Sequence, residues 1–218
     1  MAKIVPAKPL LIMLYGFPGS GKTYFARQLA EHMQIAHIQG DRIRGELFAE
    51  PRYDKQENTI VKQLMDYMTE EFLSAGVSVI YDESVVRISQ RMAVRDLARK
   101  KKALPLLIWF QIDADSSYVR LPKRDRRRSD DKFAREYGEH TYTKMLGYMQ
   151  NPNNEDFIVL SGKHTFPSQR SAVFKRFTEL GLINQATTQQ NVVKPGLVNL
   201  VPGTSGRVDM TRRNVIIR

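Results

Sequence analysis

Gly16-Phe17-Pro18-Gly19-Ser20-Gly21-Lys22-Thr23 decides how this 218-residue chain is read. The stretch follows the apolar run Leu10-Leu11-Ile12-Met13-Leu14-Tyr15 and precedes residues with helical periodicity, so it joins a strand to a helix. That order is the context a nucleotide-binding phosphate loop requires. Gly16, Gly19 and Gly21 open backbone conformations closed to other residues, so successive N–H groups can converge on an anion. The helix that follows adds the partial positive charge of its N-terminus. Lys22 supplies a mobile cation for β- and γ-phosphates, and the Thr23 hydroxyl can join a Mg²⁺ shell. Pro18, Ser20 and Tyr24 complete the candidate cradle.

Outward from this loop, strand and helix patterns alternate from Leu10 to about Gly181, which predicts an α/β fold with a doubly wound parallel sheet. The helix after Gly21 should bury Phe25, Ala26, Leu29 and Met33. A short strand near Ile35 to Ile38 ends at Gly40-Asp41. Asp54-Lys55-Gln56-Glu57 reads as a capping box, opening a helix with Ile60, Leu64, Tyr67, Met68 and Phe72 on one face and Gly76 at its end. Val77 to Tyr81 is a buried strand ending at Asp82-Glu83-Ser84, and a helix of about Ser89 to Lys101 follows. Leu104 to Ile112, the most apolar run, reads as a central strand buried on both faces. Further helices are expected at about Glu139 to Met149 and Ser168 to Leu180, with a strand at Phe157 to Leu160 between them. The expected division is a domain over 1–183, with a lid at about 115–150, and a basic tail or small β appendage over 184–218.

Composition narrows the classes. The absence of Cys excludes a disulfide scaffold, a cysteine metal site and a thiol nucleophile, and it fits a reducing cytoplasm. No apolar run approaches membrane-spanning length, and Met1 to Leu10 lacks a signal-peptide core. His32, His37, His140 and His164 show no metal-ligand spacing. The net charge of +11, from 34 basic and 23 acidic side chains, favours anionic partners or a basic solvated surface.

Three constellations bear on chemistry. Asp41 and Arg44 follow the second strand, where the carboxyl ends of a parallel sheet line the ligand crevice. Asp41 could accept a hydroxyl proton or merely cap the next helix; Arg44 could hold an acceptor's anionic group. Asp82 ends an apolar strand, the position at which a carboxylate holds a Mg²⁺-bound water or the acceptor. Tyr118 to Arg135 carries eight basic residues against three acids, among them Arg124 and Arg128 one helical turn apart. Arginines there could close over a migrating phosphoryl group, or simply form a solvated run. A fourth feature is Arg87, Arg91, Arg95 and Arg99 at every fourth position, a stripe fit for a nucleic-acid backbone or for solvent.

Taken together, GFPGSGKT, Asp41-Arg42-Ile43-Arg44, the strand ending in Asp82 and the Arg124/Arg128 pair resemble the kinase domain of phage-type polynucleotide 5′-hydroxyl kinases. More widely they resemble the P-loop kinases that include zeta-type toxins and chloramphenicol phosphotransferase. The resemblance runs from about Leu10 to Leu180. It implies that Lys22 and Thr23 bind ATP·Mg²⁺, that Asp41 is the general base, that Arg44 and Asp82 handle the acceptor, and that Arg124 and Arg128 belong to the lid. Where that family often has Thr-Asn after the strand-end aspartate, this chain has Glu83-Ser84, which adds a carboxylate near the acceptor pocket. The acceptor stays open between the 5′-hydroxyl of a polynucleotide, with Arg91 among its phosphate contacts, and a small hydroxyl-bearing molecule. A nucleotide-switched module that captures RNA or protein is the rival from another class.

Overall fold

The computed structural model describes residues 3–124 and 132–183. Arg128 and the 184–218 segment lie outside the described residues. Five strands alternate with seven helices there: β1 (Leu10–Tyr15), α1 (Lys22–His32), β2 (Ile35–Gln39), α2 (Gly40–Leu47), α3 (Lys55–Ser74), β3 (Ser78–Asp82), α4 (Ile88–Lys100), β4 (Leu104–Gln111), α5 (Ala114–Arg120), α6 (Glu139–Tyr148), β5 (Phe157–Ser161) and α7 (Phe166–Glu179). All strand pairs are parallel, in the order β2-β3-β1-β4-β5. This is the α/β doubly wound arrangement of a P-loop NTPase kinase fold.

β1 holds the centre because every one of its residues is apolar or aromatic and can be buried on both faces. Its side chains alternate between two cores. Leu10, Ile12 and Leu14 meet Phe25 and Leu29 of α1 and Val173 and Phe177 of α7. Leu11, Met13 and Tyr15 meet Val61 and Met65 of α3 and Val94 and Leu97 of α4. Each such side chain contributes roughly 1.5–3 kcal/mol on burial. The most apolar run, β4, is interior but not central: it lies between β1 and β5, and its ends at Leu104 and Gln111 reach the surface.

Two expectations for α3 need correction. Val61, Met65, Thr69 and Leu73 form its buried row, whereas Ile60, Tyr67 and Phe72 are exposed. Two rows one residue apart compete on this helix, and Glu57 begins the one that turns inward. Asp54 does cap the helix, accepting from the Glu57 N–H at 2.9 Å. Glu57, however, reaches past Asp54 to accept from the N–H groups of Arg52 and Tyr53 at 3.0 and 2.8 Å. Its carboxylate also receives Arg44 at 3.1 Å, and this buried pairing sets the rotation of α3.

Candidate active site

The phosphate loop is built by its glycines and wedged by α5. Gly21, at φ +96°, turns the chain into α1, and Gly19 sits at φ +87° with the Ser117 carbonyl 2.3 Å from where a Cβ would stand. Only glycine fits both demands at position 19. Ser117 donates its hydroxyl to the Pro18 carbonyl, tying α5 to the same turn. Lys22 donates from Nζ to the carbonyls of Gly16 and Phe17, each at 2.8 Å. Burial lowers the Lys22 pKa to about 8, against the pull of Asp82 in the other direction. Thr23 and Tyr24 stand at the mouth of the same cleft.

Opposite the loop, the carboxyl ends of β2 and β3 deliver three acids. Gln39 and Asp82 are register partners, and Asp41 follows two residues after Gln39 in the first turn of α2. His37 Nε2 lies 2.9 Å from Asp82 Oδ2. The Glu83 carboxylate packs against the start of α2, where a Cβ on Gly40 would fall 1.8 Å from Oε2. Burial, then the neighbouring Asp41, pushes the Glu83 pKa up to about 7. Burial, then Asp82, raises that of Asp41, while the Arg135 backbone N–H bonds its carboxylate and pulls the other way. Burial and the Asp41 charge hold Tyr137 well above the usual phenol range.

Arg44 reaches this cleft already paired on one side. Its guanidinium donates to Glu57 at 3.1 Å and Asn58 at 2.7 Å, and it covers the Tyr53 ring at 4.6 Å. Arg44 lines the cleft as expected of an acceptor-binding residue; Glu57 shares its charge, and its buried Nε has no hydrogen-bond partner among the described residues. Arg124 stands in the turn after α5 rather than on a helix, and its charge acts on both Lys22 and Asp41. Arg120 donates to the Gly162 carbonyl at 2.8 Å, joining α5 to the loop after β5.

These groups line one cleft of about 410 Å³, which holds Pro18 to Tyr24, Asp41, Arg44, Asp82, Glu83 and Arg124. Gly16 is buried behind the loop. Among the described residues no group of three or more His, Cys, Asp or Glu side chains is placed to hold a metal. Thr23 and Asp82 fit Mg²⁺ all the same, because that ion is held by one or two protein oxygens together with substrate phosphates.

Arg91 is not in the cleft, and its place in an exposed basic stripe is corrected. It is fully buried, bidentate to Glu155 through Nε at 3.0 Å and Nη2 at 2.7 Å, and donates from Nη1 to the carbonyls of Val85 and Val86. Arg95 pairs with the same Glu155, Arg87 covers Tyr148, and Arg99 bonds Asp96. The period of four came from one internal ion pair and its flanks rather than from a phosphate-binding face. Sequence reasoning gave no site role to His37, Tyr53 and Tyr137, and it read Arg135 only as one of the basic run. Of the first three only His37 carried a signal, two residues before the end of a strand that feeds the crevice.

Residues 11–152 match the AAA domain family, and the chain belongs to it. The chain matches no curated protein. Several solved structures share the fold. Kti12 from Chaetomium thermophilum, in complex with ADP-AlF3, is 17% identical at TM-score 0.60, over 80% of this chain and 99% of that one. A gluconokinase from Sinorhizobium meliloti is 15% identical at TM-score 0.57, over 79% and 93%. The APS kinase CysC of Mycobacterium tuberculosis, in complex with AMPPNP and APS, is 17% identical at TM-score 0.56, over 80% and 99%. Among the described residues no helix is long and apolar enough to cross a membrane.

Proposed function

We propose that this protein is an ATP-dependent kinase that phosphorylates a hydroxyl of a small acceptor. One observation carries the reading: Asp41 lines the same cleft as Lys22 and the rest of the phosphate loop. The loop from Gly16 to Tyr24 would hold the triphosphate; Thr23 and Asp82 would hold Mg²⁺, which would supply charge neutralisation to its phosphates. Asp41 takes the proton of the acceptor hydroxyl as its oxygen forms a bond to the γ-phosphorus. The bond from that phosphorus to the β,γ-bridging oxygen breaks, and ADP leaves. Lys22 and Arg124 balance the charge that develops on the transferring group.

The crowding of Asp41, Asp82 and Glu83, with Arg44 partly balanced by Glu57, favours an acceptor without a phosphate near its hydroxyl. The consumption of Arg91 and Arg95 by Glu155 removes the main support for a polynucleotide backbone. The test compares Lys22→Ala and Asp41→Asn for ATP binding and for phosphotransfer. Lys22→Ala should weaken nucleotide binding, while Asp41→Asn should retain it and lose transfer by a factor of about 10² or more. Normal transfer by the Asp41 variant would remove the base assignment.

A further inference from the structure

Residues 132–138 run from the arginine-rich segment down onto α2 and α3, and three contacts tie them there. The first is steric. A Cβ on Gly45 would lie 2.4 Å from Cδ1 and 3.1 Å from Cε1 of Phe133. The ring occupies the place that any side chain on α2 would need. The second is the cleft itself: Ala134, Arg135 and Tyr137 line it together with Asp41, and the Arg135 backbone N–H faces that carboxylate and pulls its pKa downward. The third is a stack in which the Arg135 guanidinium covers Tyr53 at 4.2 Å and Tyr137 at 5.0 Å. Arg44 also covers Tyr53, so one ring from the α2–α3 connection takes a cation from the arm and a cation from the helix.

Glycine is a poor choice for a helix unless its missing side chain is used. Gly45 is within an eight-residue helix and is not at an end that needs a left-handed turn. Its use is the notch that Phe133 fills.

We infer that Phe133 and Arg135 are positioning residues: Phe133, seated at Gly45, sets the arm so that the Arg135 N–H orients Asp41 toward the acceptor hydroxyl. This rests on the reading of Asp41 as the general base. It adds that the base is assembled from two parts of the chain, α2 and the arm, and is not held by α2 alone. A hydrogen bond from a backbone N–H fixes the rotation of a carboxylate that its own side-chain torsions would leave loose. Side-chain variants at position 135 leave that N–H in place, so the seating of the arm is the part that mutagenesis can reach.

The sign of a stability change tests the seating. On an open helix face Gly45→Ala raises Tm, because alanine is the better helix former. With Phe133 in the notch the added methyl displaces the ring and lowers Tm. The experiment measures Tm, affinity for a fluorescent methylanthraniloyl-ATP, and single-turnover release of phosphate from ATP with water as acceptor. These are read for the wild type, Gly45→Ala, Phe133→Ala, Phe133→Leu and the Gly45→Ala/Phe133→Ala double variant.

The expected result has three parts. Gly45→Ala lowers Tm and slows turnover at least tenfold, with nucleotide affinity within twofold of wild type. The double variant recovers the Tm lost by Gly45→Ala and turns over no more slowly than Phe133→Ala alone, as two changes at one contact require. Phe133→Leu retains most of the turnover. A Gly45→Ala protein with raised Tm, or with unchanged turnover, overturns the inference, as does strict additivity in the double variant. Should Gly45→Ala fail to fold, recovery of folding in the double variant supports the seating and its absence overturns it. Failure of the kinase reading looks different: the wild type itself does not bind the ATP analogue, or Asp41→Asn turns over normally.

Discussion

Glu83 shows how far one side chain can be reasoned about. Its carboxyl holds a proton up to about pH 7, whereas an ordinary glutamate releases it near 4.5. Between those values the folded state binds more protons than the unfolded state, so stability falls as pH rises across that window. The loss should be about 1–3 kcal/mol between pH 4.5 and 7, and Glu83→Gln should abolish most of it. Urea unfolding of both proteins at several pH values checks this, and parallel pH profiles would contradict it. At this scale the phosphate loop was fully legible, because backbone geometry, helix polarity and a cation must occur in one order to cradle phosphates. Asp41 and Asp82 were legible from their places after strands. Tyr53 and Tyr137 were not, and Arg135 was legible only as part of a basic run, because they stand in irregular segments whose path depends on packing rather than on periodicity. Arg44 was placed correctly and read too simply: nothing local in the sequence says that Glu57, thirteen residues on, takes up its charge.

Elements were legible wherever one periodicity dominated. β1 and α1 follow directly from a six-residue apolar run and from Phe25, Ala26, Leu29 and Met33. α3 shows the limit, since two rows fit the helical period, and the one that turns inward carries both the buried Arg44–Glu57 pair and the core residues Val61, Met65 and Leu73. α4 shows it again. Its arginines at 87, 91, 95 and 99 share a spacing but not an environment: Arg91 is fully buried and Arg99 lies at the surface. Arg91 anchors the chain just past Glu83 through the carbonyls of Val85 and Val86, and fastens it to Glu155 and to the Tyr15 ring at 5.0 Å. Arg91→Met should therefore cost about 3–5 kcal/mol of stability, because Glu155 is left buried with only Arg95. A loss below about 1 kcal/mol by denaturant unfolding would show that the pair is dispensable.

The whole molecule was read best in its order of strands and helices, since alternation of the two periods fixes a parallel sheet; which strand lies at its centre was misread, because β4 is the more apolar run but β1 holds the middle. Among the described residues both cores lie between Ile4 and Ile183, and the strand–helix alternation is complete within them. A chain ending at Ile183 should accordingly fold with a Tm within a few degrees of the full protein; failure of that truncation to fold would make the basic segment 184–218 part of the core. The charge of +11 was the least informative quantity, because the arginines that raise it include several spent on internal pairs. What the fold and cleft jointly support is phosphoryl transfer, and that claim meets its most direct test in one measurement. The protein is incubated with ATP labelled at the γ-phosphate and pooled hydroxyl-bearing acceptors, and the products are separated. The account predicts a labelled small molecule, formed by the wild type and absent with Asp41→Asn. Label found only in slowly released orthophosphate, together with RNA binding that depends on nucleotide, would contradict it and leave a switch in place of a kinase.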